Sequence, residues 1–310
     1  MKKQYFSVQN DGFYGAYYKN NQPSDMAFIV MLGDNVDDFL AKTAVKWLHR
    51  KGFNCLAMSP AKNDYGHHNY PLERFEKAIE FLKSQGNKKI GIVGASTTGM
   101  LALIAASYYP EITLTLAFSP SDFVMEGFYQ DNLDGMRERP GENESTVSYQ
   151  GKPLPYLPFA YRHPEYWLSI QEETKGTGNI ACSRKMFDES EKQHPLREEE
   201  TIQVENINGH FVCIGAEDDT LWDTCKYIRR MDKRLKAHPH SCTYDMLIYD
   251  YGTHFIFPES MLRLALPFGK KLVMGFAFRS AREHPKECRQ TRINIDEELS
   301  RILSRWQNDE

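Results

Sequence analysis

Apolar residues in this chain fall into two kinds of run that alternate along its length. Met26 to Leu32 is apolar throughout, and Phe53 to Met58, Lys89 to Val93 and Ile112 to Phe118 form further short apolar runs. Such runs suit strands covered on both faces, as in parallel sheets. Segments with helical spacing lie between them. From Pro71 to Gln85, Leu72, Phe75, Ile79 and Leu82 share one helical face, and Gly86 supplies a C-terminal stop. Asp37 to Lys51, ended by Gly52, and Met100 to Tyr108 read as two more helices. Ahead of these, Tyr5 to Val8 and Phe13 to Tyr18 flank Asn10-Asp11-Gly12, the pattern of a β-hairpin. Regular alternation of strand and helix predicts right-handed crossovers and a mostly parallel central sheet with helices on both faces.

The rhythm stops at Ser119. Residues 119–208 show no clean period: Tyr149, Tyr156, Phe159, Tyr161, Tyr166 and Trp167 crowd among prolines, and the stretch from Glu172 to Glu200 is polar. A long unpatterned segment inside an α/β chain reads as an inserted lid or cap. Its aromatic half is expected to line an apolar acyl-binding pocket, the alternative being a small core beneath the loop. The rhythm resumes with a strand at His210 to Gly215, a helix from Trp222 to Ala237 and a strand at Thr243 to Tyr249. Charged sequence from Arg282 to Gln307 reads as a final surface helix. The expected organisation is therefore a core of residues 1–118 and 209–310, with 119–208 inserted.

Composition narrows the function. Of 310 residues, 41% are hydrophobic and 13% aromatic, which describes a folded globular chain rather than a disordered one. A formal charge of −4 offers no global positive field for nucleic acid or an anionic membrane. No run approaches the ~20 apolar residues of a membrane span, and the first ten residues lack a signal-peptide core, so a cytoplasmic address is expected. Cys55, Cys182, Cys213, Cys225, Cys242 and Cys288 form no C-x-x-C pair and read as free thiols. No metal-ligand spacing is present, and no cofactor is expected.

Candidate chemistry centres on Val93-Gly94-Ala95-Ser96-Thr97-Thr98-Gly99, between a buried strand and an apolar helix. This is close to the G-x-S-x-G turn that exposes the nucleophile of α/β-hydrolases, with the second glycine one position late. The plain alternative is Ser96 as a helix N-cap. A serine nucleophile needs a base, and the base needs a carboxylate to set its tautomer. In this fold the order is Ser, Asp or Glu, His, with the last two on loops after late strands. Asp218 and Asp219 follow one late strand and His254, in Tyr251-Gly252-Thr253-His254, follows the next. Asp219 is preferred as the acid on its spacing to Trp222, with Asp218 as a charge at a helix start. His67 and His68 in a turn-like segment, His238 and His240 about a proline, and His210 at a strand start read as surface or capping histidines. The oxyanion donors expected are the Thr97 N–H and one from Gly33-Asp34-Asn35, with Asp34 chosen.

Together with Ser148-Tyr149-Gln150-Gly151-Lys152-Pro153-Leu154-Pro155 and the tail after Arg282, these motifs resemble the C-terminal catalytic domain of the acyl-CoA thioesterase and bile acid-CoA:amino acid N-acyltransferase family, over roughly residues 13–307. The resemblance implies an α/β-hydrolase fold and an acyl ester or thioester as small-molecule substrate. The family uses serine in thioesterases and cysteine in the mammalian transferases, so Ser96 matches the thioesterase side. The family turn usually continues with lysine and two small residues, where this chain has Thr97-Thr98-Gly99. The family also carries an N-terminal immunoglobulin-like domain, and only the short hairpin is expected ahead of the hydrolase domain here. The leading expectation is a serine hydrolase working through an acyl-enzyme. An N-acyltransferase passing the acyl group to an amino acid and an inactive binding scaffold are the alternatives.

Overall fold

Alternate residues of single strands feed two different cores. In the strand Met26–Met31, Ala27, Ile29 and Met31 face one apolar cluster, while Phe28 and Val30 face another. The period of two puts successive side chains on opposite faces of the sheet, so an unbroken apolar strand implies cover on both.

The computed structural model describes residues 3–33, 35–60, 67–127, 144–161, 165–268 and 270–308. Within them the main sheet comprises β1 (Lys3–Phe6), β2 (Gly15–Tyr18), β3 (Met26–Met31), β4 (Asn54–Met58), β5 (Lys89–Ala95), β6 (Ile112–Phe118), β7 (His210–Ala216) and β8 (Thr243–Tyr249). Their spatial order is β1-β2-β4-β3-β5-β6-β7-β8. The pairs β1·β2 and β2·β4 are antiparallel and the remaining neighbours parallel. One face is covered by helices Glu73–Ser84, Thr97–Tyr108 and Thr224–Ala237, the other by Phe39–His49 and the long helix Pro285–Asn308. This is the α/β-hydrolase architecture expected from the sequence.

Several local expectations need correction. The hairpin between β1 and β2 exists, but Val8–Asp11 forms a single helical turn, ended by Gly12 at φ 80°. Thr97, not Met100, begins the helix after β5, and Thr224, not Trp222, begins the helix after β7. The last helix is no bare surface element. It buries Ile295, Leu299, Ile302, Leu303 and Trp306 at helical spacing, and the Trp306 indole N–H donates to Thr113 Oγ1 at 3.0 Å.

Residues 119–208 are more ordered than their sequence suggests. They contain helices Glu165–Thr174 and Arg184–Gln193 and two short strands, Val147–Tyr149 and Lys152–Pro153, joined to Tyr70–Pro71. Phe123, Val147, Leu157, Phe187 and Val204 belong to the same apolar cluster as the core helices, so the insertion shares the core's interior.

Candidate active site

The turn between β5 and its following helix is built by three small or hydroxylated residues around Ser96. Ser96 stands at φ 58°, ψ −130°, outside the comfortable regions for an L-residue, and its side chain makes no capping bond. The N-cap alternative is thereby answered: a cap sits in extended backbone with its oxygen turned to the helix amides. Gly94 is required because a Cβ there would lie 2.0 Å from the Thr98 carbonyl oxygen. A Cβ on Gly99 would stand 3.0 Å from the Phe118 carbonyl oxygen, which explains a glycine one place later than the usual motif. Thr98 uses its hydroxyl to stitch the bend, donating toward the carbonyls of Met31 and Ala95 and accepting the Ala95 N–H at 3.1 Å.

Asp219 and His254 arrive on the loops after β7 and β8. His254 Nδ1 lies 2.8 and 3.0 Å from the two Asp219 carboxylate oxygens, with both side chains buried. Asp219 also accepts the Leu221 N–H at 2.9 Å and the Thr224 hydroxyl at 2.5 Å. Its carboxylate is thus fixed from three sides in a site where hydrogen bonds replace water. His254 Nε2 is buried and, among the described residues, has no hydrogen-bond partner. The Trp222 ring stands edge-on to the imidazole, centroids 4.9 Å apart.

Ser96 and His254 line one cavity of about 490 Å³, with Thr97 and Gly33 also in its wall. The remaining wall is mostly apolar, from Leu32, Leu40, Leu221, Phe255 and Phe257, joined by Asp38 and His67. Asp38 caps the helix Phe39–His49, accepting the Ala41 N–H at 2.8 Å and the Asn35 N–H at 3.3 Å, so its carboxylate braces the loop after β3. As the first helical residue, Thr97 has no carbonyl four residues back inside the helix to engage its N–H. Asp34 lies outside the described residues.

His67 corrects the reading of the histidines: it is buried in the cavity wall, whereas a turn-like sequence suggested exposure. The aromatics of residues 149–167 take a different place from the one expected. None of the described ones lines the cavity at Ser96; Tyr149, Tyr156, Phe159, Tyr161 and Trp167 pack against the main apolar cluster. Tyr149 meets Tyr108 with centroids 4.9 Å apart, and the Tyr161 hydroxyl donates to Glu189. Phe159 stands edge-on to Phe187, which stands edge-on to Trp222 at 5.2 Å, so this row of rings ends at His254. The Tyr166 side chain lies outside the described residues. The insertion reaches the site through polar contacts too. Arg184 donates to the carbonyls of Glu217 and Asp219, and the Ser183 hydroxyl donates to the Leu221 carbonyl at 2.7 Å.

Three of the five described non-glycine residues with positive φ cluster here: Ser96, Ser119 and Thr253, at 58°, 44° and 62°. Each such residue stores strain on the order of 1–3 kcal/mol, a cost found where surroundings over-determine a site. Among the described residues no group of three or more His, Cys, Asp or Glu side chains could hold a metal ion. Nor is any helix among them long and apolar enough to cross a membrane.

The family model described as BAAT / Acyl-CoA thioester hydrolase C terminal matches residues 70–261, more than half of the chain. Acyl-coenzyme A thioesterase 2, mitochondrial, of Mus musculus is 24% identical over 212 residues, covering 66% of this chain and 40% of that protein. Acyl-coenzyme A thioesterase 1 of the same organism is 23% identical over 212 residues, again 66% of this chain, and 43% of its own length. The chain therefore spans about two fifths of these relatives. Serine hydrolase BPHL of Homo sapiens is 32% identical over 106 residues, 30% of this chain and 35% of that protein. Among solved structures, a proposed dipeptidyl aminopeptidase IV from Bacteroides ovatus superposes with TM-score 0.53 at 12% identity, covering 98% of this chain and 35% of the other, a likeness of fold.

Proposed function

This chain belongs to the BAAT / Acyl-CoA thioester hydrolase C-terminal family, and from that premise we propose that it is a serine hydrolase cleaving an acyl thioester or carboxylic ester through an acyl-enzyme on Ser96. The observation that carries the reading is the state of His254: its Nδ1 is engaged by Asp219 while its Nε2 is unpartnered in the cavity that Ser96 also lines. With Nδ1–H donated to Asp219, Nε2 is the basic nitrogen.

In the proposed reaction Nε2 takes the Ser96 hydroxyl proton as Oγ attacks the acyl carbonyl. The imidazolium so formed is stabilised by the buried Asp219 carboxylate. Negative charge developing on the carbonyl oxygen falls to the Thr97 N–H and to a second N–H from residues 33–35, where each such donor is typically worth about 10²–10³ in kcat. The tetrahedral intermediate collapses as His254 returns the proton to the leaving thiolate or alkoxide. Water, activated by the same nitrogen, then releases the acid. The apolar wall of Leu32, Leu40, Phe255 and Phe257 suits an uncharged acyl chain, and the Asp38 carboxylate beside it disfavours an anionic one. A small-molecule substrate and a cytoplasmic site of action belong to the same proposal.

Incubating purified protein with acyl-CoA and aryl-ester panels, with and without amino acids, tests it. Free carboxylic acid as the product in both conditions is the expected result. An N-acyl amino acid as the main product would make the chain a transferase, and no turnover of any acyl donor would leave it a binding scaffold.

A further inference from the structure

We propose that Ser119, the residue just past β6, is a positioning residue for His254, holding it by its backbone and through Trp222 at once. This rests on the reading of His254 as the general base.

Ser119 is fully buried, lies 135 residues before His254 in the sequence, and no motif marks it. Its hydroxyl donates to the main-chain carbonyl of His254 at 2.8 Å. Its own carbonyl accepts the Trp222 indole N–H at 3.2 Å, and Trp222 is the ring that stands edge-on to the His254 imidazole, at an interplanar angle of 88°. One residue therefore grips the histidine from behind and fixes the ring that limits its swing. Ser119 is itself pinned, its N–H donating to the Ile214 carbonyl at 2.7 Å in β7. The preceding residue completes the arrangement: the Phe118 carbonyl accepts the Ser96 N–H at 2.8 Å. Two consecutive residues at one strand end thus set the backbone of the nucleophile and the backbone of the base.

The choice of side chain follows. At φ 44° glycine would be cheaper for the backbone, and alanine would fill nearly the same space. Neither has a proton to donate to the His254 carbonyl. Threonine would add a β-branch at positive φ, where such residues are disfavoured. Serine is the smallest residue that both fits the closed space and donates. On the other side of the loop, Thr253, at φ 62°, gives its N–H to Asp218, so His254 is held between two anchors. If the Ser119 anchor goes, Nε2 loses its fixed place in the cavity that Ser96 also lines. Displacements of about 1 Å of this kind can cost on the order of 10²-fold in rate.

The test uses the full chain with Ser119→Ala, Ser119→Gly and Ser119→Cys, reading kcat, KM, the rate of fluorophosphonate labelling at Ser96, and the thermal midpoint. Alanine and glycine should both lower kcat and the labelling rate by about 10- to 100-fold with KM within about twofold, because both lack the hydroxyl. Cysteine, a weak donor, should recover part of the loss. Wild-type kcat and labelling in folded Ser119→Ala, whatever its thermal midpoint, would overturn the proposal. So would an impaired alanine variant beside a wild-type glycine variant, since backbone strain alone would then account for the effect. Failure of the wild-type protein to label at Ser96 is a separate result that removes the reading of the base and this proposal with it.

Discussion

Asp218 accepts the backbone N–H of Thr253 at 2.8 Å, so the aspartate next to Asp219 holds the loop that carries His254 rather than the His254 imidazole. The same oxygen takes the Gly252 N–H at 2.9 Å, and the other oxygen takes the Ser280 hydroxyl. Two adjacent aspartates therefore do different work. Asp219→Asn should lower kcat by about 10⁴, because the amide presents the wrong partner to Nδ1. Asp218→Asn should cost far less, since an amide oxygen still accepts the two N–H groups. Asp218→Ala strips both of their acceptor and should lose about 1–3 kcal/mol in urea unfolding. Steady-state kinetics on the three variants checks the order, and a larger loss in Asp218→Asn than in Asp219→Asn would contradict the assignment.

The position of the aromatics between residues 149 and 167 makes a second prediction. Phe255 lines the cavity at Ser96, whereas Phe159 packs against Phe187 behind Trp222. Phe255→Ala should change the acyl-chain preference in kcat/KM, each methylene contact in such a pocket being worth about 1–3 kcal/mol. Phe159→Ala should lower stability by up to about 3 kcal/mol and leave chain-length preference flat. A shifted preference in Phe159→Ala would return the insertion's aromatics to the substrate pocket.

Parts of this architecture are legible in the sequence because burial on both faces leaves a mark there. The strand Ile112–Phe118, buried but for Thr113, matches its predicted bounds residue for residue; the half-buried edge strand Thr243–Tyr249 does so as well, marked by its place after a helix in the alternation rather than by burial. Helix Arg184–Gln193 left little trace, since it buries only Met186, Phe187 and Ser190 among charged neighbours. Glu259–Ala265, Lys270–Ala277 and Arg279–Glu283 are too short to display a period. At the site, Ser96, Asp219 and His254 could be chosen because hydrolase loops follow strand ends in a known order. His67 and Ser119 could not, for their places depend on which strand ends and loops the fold brings together. Spacing to Trp222 favours Asp219 over Asp218, and it is Asp219 that meets His254 Nδ1, although Trp222 precedes the helix rather than beginning it.

A third prediction concerns pH. Burial pushes the Asp122 carboxyl up to about 6, against the pull of Arg230, whose guanidinium it shares with Glu191. An unfolded aspartate titrates near 3.9, so the folded chain binds this proton more tightly. The contribution to stability is fully present below about pH 4 and is lost as pH rises through about 6. Relative to Asp122→Asn, which cannot titrate, the wild type should lose on the order of 2–3 kcal/mol of unfolding free energy between pH 4 and 7. Parallel curves for the two proteins, or a wild type gaining relative stability over that range, would contradict it.

The central claim is that Ser96, activated by His254, is the nucleophile. The most direct measurement is hydrolysis of an acyl thioester by wild-type protein and by Ser96→Ala, together with mass-spectrometric mapping of a fluorophosphonate adduct. A Ser96 nucleophile should give an adduct on Ser96 alone and a fall in kcat on the order of 10⁴–10⁶ in the alanine variant, with its fold intact. An adduct on another residue, or retention of more than about a tenth of wild-type kcat in Ser96→Ala, would contradict it.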